Sequence, residues 1–428
     1  MLLHDRTSGF NHYLFNIDEL AERLMRQSSL GIITVSISGL DAIEESRGPQ
    51  IYDNILGHLS QTLLKIKGNV IRDTDIITMA EIGAPIFHVF LSCDRSQGCG
   101  PKGLAKEQVQ NIVHRIEDML YPEICRLTLP FMKEAPVLAL GHALIVNNPL
   151  IRPRRLIYRL MEESKQMARL QLPLNKFRNK DRLQEIILKE DITTLFHPIV
   201  DLKTGHMMGY EGLTRGPKGS IFEFPLSMFS IAKDVGLIFE LDRICRRKAL
   251  SASCALPQDA KVFVNSLPNT IHDPEFRGQG LTNFLESSHL RPENIVFEIN
   301  ERVAIDNFPS FKEAAKYYTD AGMSIAIDDT GTGYSTLEAI VELSPHYLKF
   351  DISMVNGLHK NTLKQEMLRM LTHLADKINA IIIAEGIEEK EDLEMLQAMG
   401  IPYGQGFYFC KPLTVEEIAN RGPTFDVG

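Results

Sequence analysis

The sequence predicts an α/β chain in two parts: a C-terminal (β/α)8 barrel modified by one antiparallel strand, and a smaller α/β domain before it. Three observations predict the barrel. Short apolar runs recur through the C-terminal two-thirds, each ending in a polar side chain able to bind a metal or carry a proton. Amphipathic stretches with helix punctuation separate several of them, such as Phe308 to Asp320, opened by Asn307 and Pro309 and closed by Gly322. One pair, Leu195 to Asp201 and His206 to Leu213, is joined by only a few residues around Gly205. A parallel pair needs a crossover of about a dozen residues, so these two form an antiparallel hairpin within an otherwise parallel barrel.

In chain order, Leu30 to Ile37 reads as a buried strand, Tyr52 to Lys67 as an amphipathic helix, and Ile86 to Leu91 and Val137 to Val146 as further strands. Arg155 to Arg169 reads as a helix leading into a linker, which divides a domain of residues 1–170 from a barrel of residues 182–428, with residues 171–181 between them. The barrel's runs then end, in order, at Glu211, Asn265, Glu298, Asp328 with Asp329, Lys349, Glu385 and Gln405. A barrel of this kind places its chemistry at the C-terminal strand ends, where side chains from separate strands meet. The stretch Ser324 to Leu337 is the most pointed: two adjacent carboxylates enter a turn that Gly331 and Gly333 allow to be tight. Two neighbouring buried anions repel and call for a cation. Alone, each strand-terminal polar residue is more often a solvated edge or a cap; seven together are not.

The set Glu211-Gly-Leu213 with Arg215, Asn265, Glu298-Ile-Asn-Glu301, Asp328 to Ser335, Lys349-Phe-Asp351, Ala384-Glu-Gly-Ile-Glu388 and Gln405 to Phe409 resembles the EAL-domain cyclic di-GMP phosphodiesterases, over roughly Arg182 to Leu413. The resemblance implies a modified TIM barrel hydrolysing cyclic di-GMP to linear pGpG. It implies two Mg²⁺ or Mn²⁺ ions per site, held by Glu211, Asn265, Glu298, Asp328, Asp329 and Glu385, all hard oxygen donors. A bridging carboxylate, Asp328, would set the ions about 3.5–4 Å apart. Lys349 matches the lysine that contacts the attacking water, as proton acceptor or as orienting charge; with Glu211 and Glu385 it forms the implied catalytic set. Leu213, Arg215, Asp351, Glu388 and Gln405 match substrate-side positions, and Glu301 anchors the loop after Asp329. Thr330 stands where the family usually has Phe, Asn300 where it has Thr, His197 where it has Gln, and Gly212 fills the middle of the signature tripeptide. Thr330 and Asn300 lie beside the implied metals, not among their ligands. The run Glu388 to Asp392 otherwise reads as the solvated first turn of a helix.

The order of elements in residues 1–170 resembles a GGDEF domain, the diguanylate cyclase fold, without its reactive residues. Glu81-Ile-Gly-Ala-Pro85 stands where the cyclase signature falls, and Ser36 and Ser38 stand where metal-binding Asp residues do. The implied role is regulatory. Arg72 and Asp75 keep the spacing of the family's inhibitory-type site, a candidate for GTP or cyclic di-GMP. A homodimer is expected on the EAL resemblance.

Composition bounds the rest. The chain has 428 residues, of which 44% are hydrophobic and 24% charged; it contains no apolar run long enough to span a membrane and no signal-peptide core, so a cytoplasmic protein without membrane insertion is expected. A formal charge of −9 argues against DNA binding, which needs a basic footprint. A dianionic dinucleotide remains possible where pocket cations reverse the local sign. Six cysteines without Cys-x-x-Cys spacing read as reduced thiols, with Cys93 and Cys99 a candidate redox pair. Two readings stay open: a metal-dependent hydrolase, and a catalytically silent cyclic di-GMP receptor acting through protein contacts.

Overall fold

The computed structural model describes residues 8–81, 84–92, 106–128, 137–267, 272–288, 290–300, 308–330, 340, 342–422 and 424–427. The chain falls into two compact units, one comprising Met1–Glu185 with Pro217–Gly236, the other Ile186–Gly216 with Leu237–Gly428.

In the first unit, α1 (Ile17–Gln27), β1 (Ser29–Ser38), α2 (Asp41–Arg47), α3 (Pro49–Lys65), β2 (Ile76–Met79), β3 (Ile86–Leu91), α4 (Lys106–Thr128), β4 (Val137–Val146) and α5 (Pro153–Lys189) follow in sequence. The strands form one antiparallel sheet in the order β2-β3-β1-β4. Strand β1 is buried along most of its length because both of its faces are covered. Ile33, Val35 and Ile37 join a core with Leu56, Leu59 and Leu63 of α3 and Ile116 and Leu120 of α4. Leu30 and Ile32 join another with Leu20 and Leu24 of α1 and Leu156 and Leu160 of α5. A polar seam crosses the second face: the Ser164 hydroxyl donates to Thr34 Oγ1 at 2.7 Å, and Thr34 Oγ1 lies 3.0 Å from His88 Nδ1. Burial, with Lys165 and His12 nearby, pushes His88 down to about 3, so its imidazole is neutral.

Helix α5 runs unbroken through the expected linker of residues 171–181. The segment Pro217–Gly236, with α6 (Pro225–Val235), belongs to this first unit and packs on α4, where the Asp118 carboxylate accepts from the Ile221 N–H. Among the described residues, no helix is long and apolar enough to cross a membrane.

The second unit is a closed barrel. It comprises β5 (Thr193–Asp201), β6 (Met207–Arg215), α7 (Ile238–Ser253), β7 (Lys261–Asn265), α8 (Gln279–Ser288), β8 (Ile295–Asn300), α9 (Phe308–Asp320), β9 (Ser324–Thr330), β10 (Tyr347–Phe350), α10 (Ile352–Val355), α11 (Thr362–Ile378), β11 (Ile381–Ala384), α12 (Lys390–Ala398), β12 (Tyr403–Gly404) and α13 (Val415–Ala419). All neighbours pair in parallel except β5, which runs against both β6 and β12. The expected hairpin is therefore present. Its turn is held by Asp201 Oδ1, which accepts from the N–H groups of Lys203 at 2.9 Å and Thr204 at 2.8 Å, and Gly205 takes a positive φ of 73°.

Candidate active site

Strand period fixes the site. Ile199, Phe263, Val296, Ala326, Tyr347 and Ile383 form a layer inside the barrel. Side chains two residues further along a strand point the same way. That step reaches Asn265, Glu298, Asp328, Lys349 and Glu385 from the parallel strands. Lys349 and Glu298 are fully buried. Lys349 Nζ lies 2.6 Å from Glu298 Oε1, 2.6 Å from Glu385 Oε1, 3.3 Å from Glu211 Oε2 and 3.4 Å from Asp328 Oδ1. Gln405 Nε2 donates to Glu211 Oε2 at 2.6 Å and Glu385 Oε1 at 2.9 Å, and Asn265 Nδ2 donates to Glu298 Oε2 at 3.2 Å and Glu211 Oε1 at 3.4 Å. Six residues read from separate strand ends thus gather around a seventh, Lys349.

The electrostatics of this cluster are lopsided. Burial and the neighbouring carboxylates of Glu211 and Asp328 hold Glu298 well above the usual carboxylate range, and burial with Asp328 and Glu211 does the same to Glu385; Lys349 opposes both shifts. Burial also pushes Glu211 up, but Lys349, the Gln405 amide and His197 outweigh it and hold Glu211 low. Burial lowers Lys349, yet Asp328, Glu211, Glu298 and Glu385 together hold it well above the usual lysine value. Fully ionised, four carboxylates face one ammonium. The excess of buried negative charge and the all-oxygen donor set both fit a hard divalent cation, with Glu211, Asn265, Glu298, Asp328 and Glu385 as the residues able to hold it.

Strand β9 breaks register here. Leu348 pairs with Ile327 and Phe350 with Thr330, so Asp328 and Asp329 together oppose the single residue Lys349. This is a β-bulge, a device that re-aims a strand beside a site. The side chain of Asp329, together with Glu301, Gly331 and Gly333, lies outside the described residues, as do Cys93 and Cys99.

The remaining expected residues sit at the margin. Leu213 and Arg215 close β6, where Arg215 Nη1 donates to Thr214 O at 2.7 Å. Asp351 caps α10, its carboxylate accepting from Ser353 N–H at 2.8 Å, and Glu388 is exposed in the loop after β11. Asp392 corrects the expectation of a solvated helix turn: it is buried and accepts from Gly357 N–H and His359 N–H, both at 2.9 Å, because it ties α12 to the turn after α10. In the first unit, Asp75 is buried and spends its carboxylate on Arg72 N–H, Ser92 N–H and the Ser92 hydroxyl, while Arg72 Nη1 donates to Ser92 O. The pair thus braces a turn. Ser36 and Ser38 stand at the end of β1.

His197, marked in the sequence only as a departure from the family's Gln, lies at the site. It is buried opposite Glu211, with Nε2 3.2 Å from Cys410 O, and burial lowers its pKa. Because β5 runs backwards, its site residue falls two before Ile199; the hairpin register carried that signal. Gly212 also has a local reason, since a Cβ there would lie 3.2 Å from Ala249 Cβ. Thr330 is fully buried at the end of β9, its hydroxyl donating to Ile327 O at 3.3 Å.

Gly386, directly after Glu385, has φ 68°, and a Cβ there would lie 2.3 Å from Ile352 Cγ1. Gly386→Ala is expected to destabilise the fold by about 1–2 kcal/mol through the left-handed backbone alone and to slow turnover by moving Glu385. Thermal unfolding and activity check both; no change in either would mean that neither the left-handed backbone nor Ile352 resists a side chain there.

A family model described as EAL domain matches residues 180–412. The probable cyclic di-GMP phosphodiesterase PdeG of Escherichia coli is 32% identical over 253 residues, 56% of this chain and 49% of that protein. The uncharacterized protein y4lL of Sinorhizobium fredii is 24% identical over 437 residues, 97% of this chain and 50% of that protein. The chain spans about half the length of these curated relatives. Among solved structures, the FimX EAL domain from Pseudomonas aeruginosa bound to c-di-GMP matches with a TM-score of 0.50 and 25% identity, over 58% of this chain and 99% of that one.

Proposed function

The chain belongs to the EAL domain family, and from that premise we propose that it hydrolyses cyclic di-GMP to linear pGpG with Mg²⁺ or Mn²⁺, two ions per site, held by Glu211, Asn265, Glu298, Asp328, Asp329 and Glu385. One observation carries the reading: a buried set of oxygen donors converging on Lys349 from separate strands. Bound there, the cations would activate a water and neutralise charge on the phosphoryl oxygens.

The chain's own residues do the rest. Gln405 orients Glu211 and Glu385 by donating to both. Lys349, held charged by four carboxylates, steers water into line in its protonated form and accepts a proton only once that negative field is neutralised. Water bonds to phosphorus as one ribose oxygen leaves and takes a proton, opening the ring once. Arg215, at the mouth of β6, supplies a cation for a phosphate, and Leu213, Asp351 and Glu388 line the substrate side. The first unit, with serines at the end of β1, is assigned a regulatory role. A homodimer and a cytoplasmic setting belong to the same proposal.

The buried Thr330 supports a second reading, a receptor that binds the dinucleotide without cutting it. Protein stripped with EDTA, then given Mg²⁺ or Mn²⁺ and cyclic di-GMP, is expected to yield pGpG on chromatography only after the metal is restored. Retention of intact dinucleotide with no product would select the receptor.

A further inference from the structure

Helix α7 carries a buried ionic network that the proposed chemistry does not use. Arg246 is fully buried; its Nε donates to Asp242 Oδ2 at 2.8 Å, its Nη2 donates to Asp273 Oδ2 at 3.0 Å, and its guanidinium lies 4.2 Å from the Phe276 ring centroid. Arg243 Nε also donates to Asp273 Oδ2, at 2.9 Å. Among the described residues Arg246 Nη1 has no hydrogen-bond partner, so two aspartates alone hold the fork. Apolar replacements for such networks are often neutral or stabilising, so stability is a weak reason to bury one.

What this network holds is the exit of β7. Asp242 Oδ1 accepts from Leu267 N–H at 3.3 Å, and the intervening Ser266 N–H donates to the Glu298 carbonyl at 2.9 Å. Beyond residues 268–271, Asp273 Oδ1 accepts from Glu275 N–H at 3.1 Å and caps a short helical turn. Leu267 and Asp273 are therefore both tied to this one helix, and the first tie lies two residues past Asn265, whose amide meets Glu211 and Glu298. We propose that Asp242, fixed in place by Arg246, is a positioning residue that sets Asn265 against Glu298 and so determines how tightly the site takes a divalent cation. This rests on the ligand role given above to Asn265.

The test is Mn²⁺ binding to the full chain, followed by electron paramagnetic resonance without substrate, for the parent, Asn265→Ala and Asp242→Ala. Outer partners of metal ligands typically change affinity about 10–100-fold. Asp242→Ala is expected to bind Mn²⁺ at least about 10-fold more weakly while keeping the parent's far-ultraviolet circular dichroism. Parent-like affinity in Asp242→Ala, with Asn265→Ala weakened, overturns the positioning role alone, whatever the thermal stability. Parent-like affinity in Asn265→Ala removes its ligand role and the positioning proposal together. Should Asp242→Ala not fold, Arg246→Lys decides: it keeps the buried charge and loses only the two-pronged grip, so weaker Mn²⁺ binding supports the proposal and parent affinity overturns it.

Discussion

Lys349→Met is expected to cut pGpG formation by about 10²–10⁴-fold, the range typical of a group that moves or steers a proton. The side chain is fully buried, and its ammonium is the shared partner of Glu211, Glu298, Asp328 and Glu385. Methionine keeps an unbranched stem and removes the ammonium, with its charge and its three hydrogen-bond donors. Four carboxylates are then left facing one another in a water-poor space. Breaking a buried pair by removing one partner costs about 3–5 kcal/mol, so the metal-free variant should also melt well below the parent. Divalent cation should recover much of that stability and little of the activity. Steady-state turnover together with melting in EDTA and in Mg²⁺ separates the two effects; a variant retaining most of its activity would remove Lys349 from the chemistry.

The response of stability to pH is the second large expectation. Glu298 and Glu385 titrate above their ordinary value of 4.5 in the fold. Their contribution is complete below that value and is lost as pH rises through the raised folded values. Glu211 is shifted down, so its contribution is present above 4.5 and fades only in acid, while Lys349, shifted up from 10.5, loses its contribution only in strong base. As pH rises above 4.5 and through the raised folded values, the protein in EDTA should therefore lose stability. A cation needs the same carboxylates deprotonated, so its stabilisation should grow over that range. At a concentration of about 100 times the dissociation constant it contributes about 2.7 kcal/mol. Melting curves across pH, with EDTA and with Mg²⁺, test this; a metal-induced gain that does not change with pH would contradict it.

The barrel and the heart of its site were legible because two simple periods carry them. A buried strand turns every second side chain inward, so a polar residue at the end of an apolar run, such as Glu298 or Lys349, declares itself. The short link from Asp201 to His206 likewise left no choice but a hairpin. What was illegible depended on contacts distant in sequence. The bulge at Asp328 and Asp329 exists only against β10. Asp392 looked like surface charge until the turn around His359 closed over it. Arg72 and Asp75 keep the spacing of an inhibitory-type site, and only the fold shows that Ser92 bonds to both. His197 needed the reversed direction of β5 to be carried into the count, and nothing local marks that helix α5 continues through residues 171–181.

Chromatography of cyclic di-GMP incubated with the purified chain and Mg²⁺ or Mn²⁺, beside Glu211→Ala, tests the central claim most directly. The parent is expected to yield pGpG and the variant none above background, because it lacks a carboxylate held by both Lys349 and Gln405. Cyclic di-GMP bound but left intact by the parent, or product formed equally well by Glu211→Ala, would contradict it.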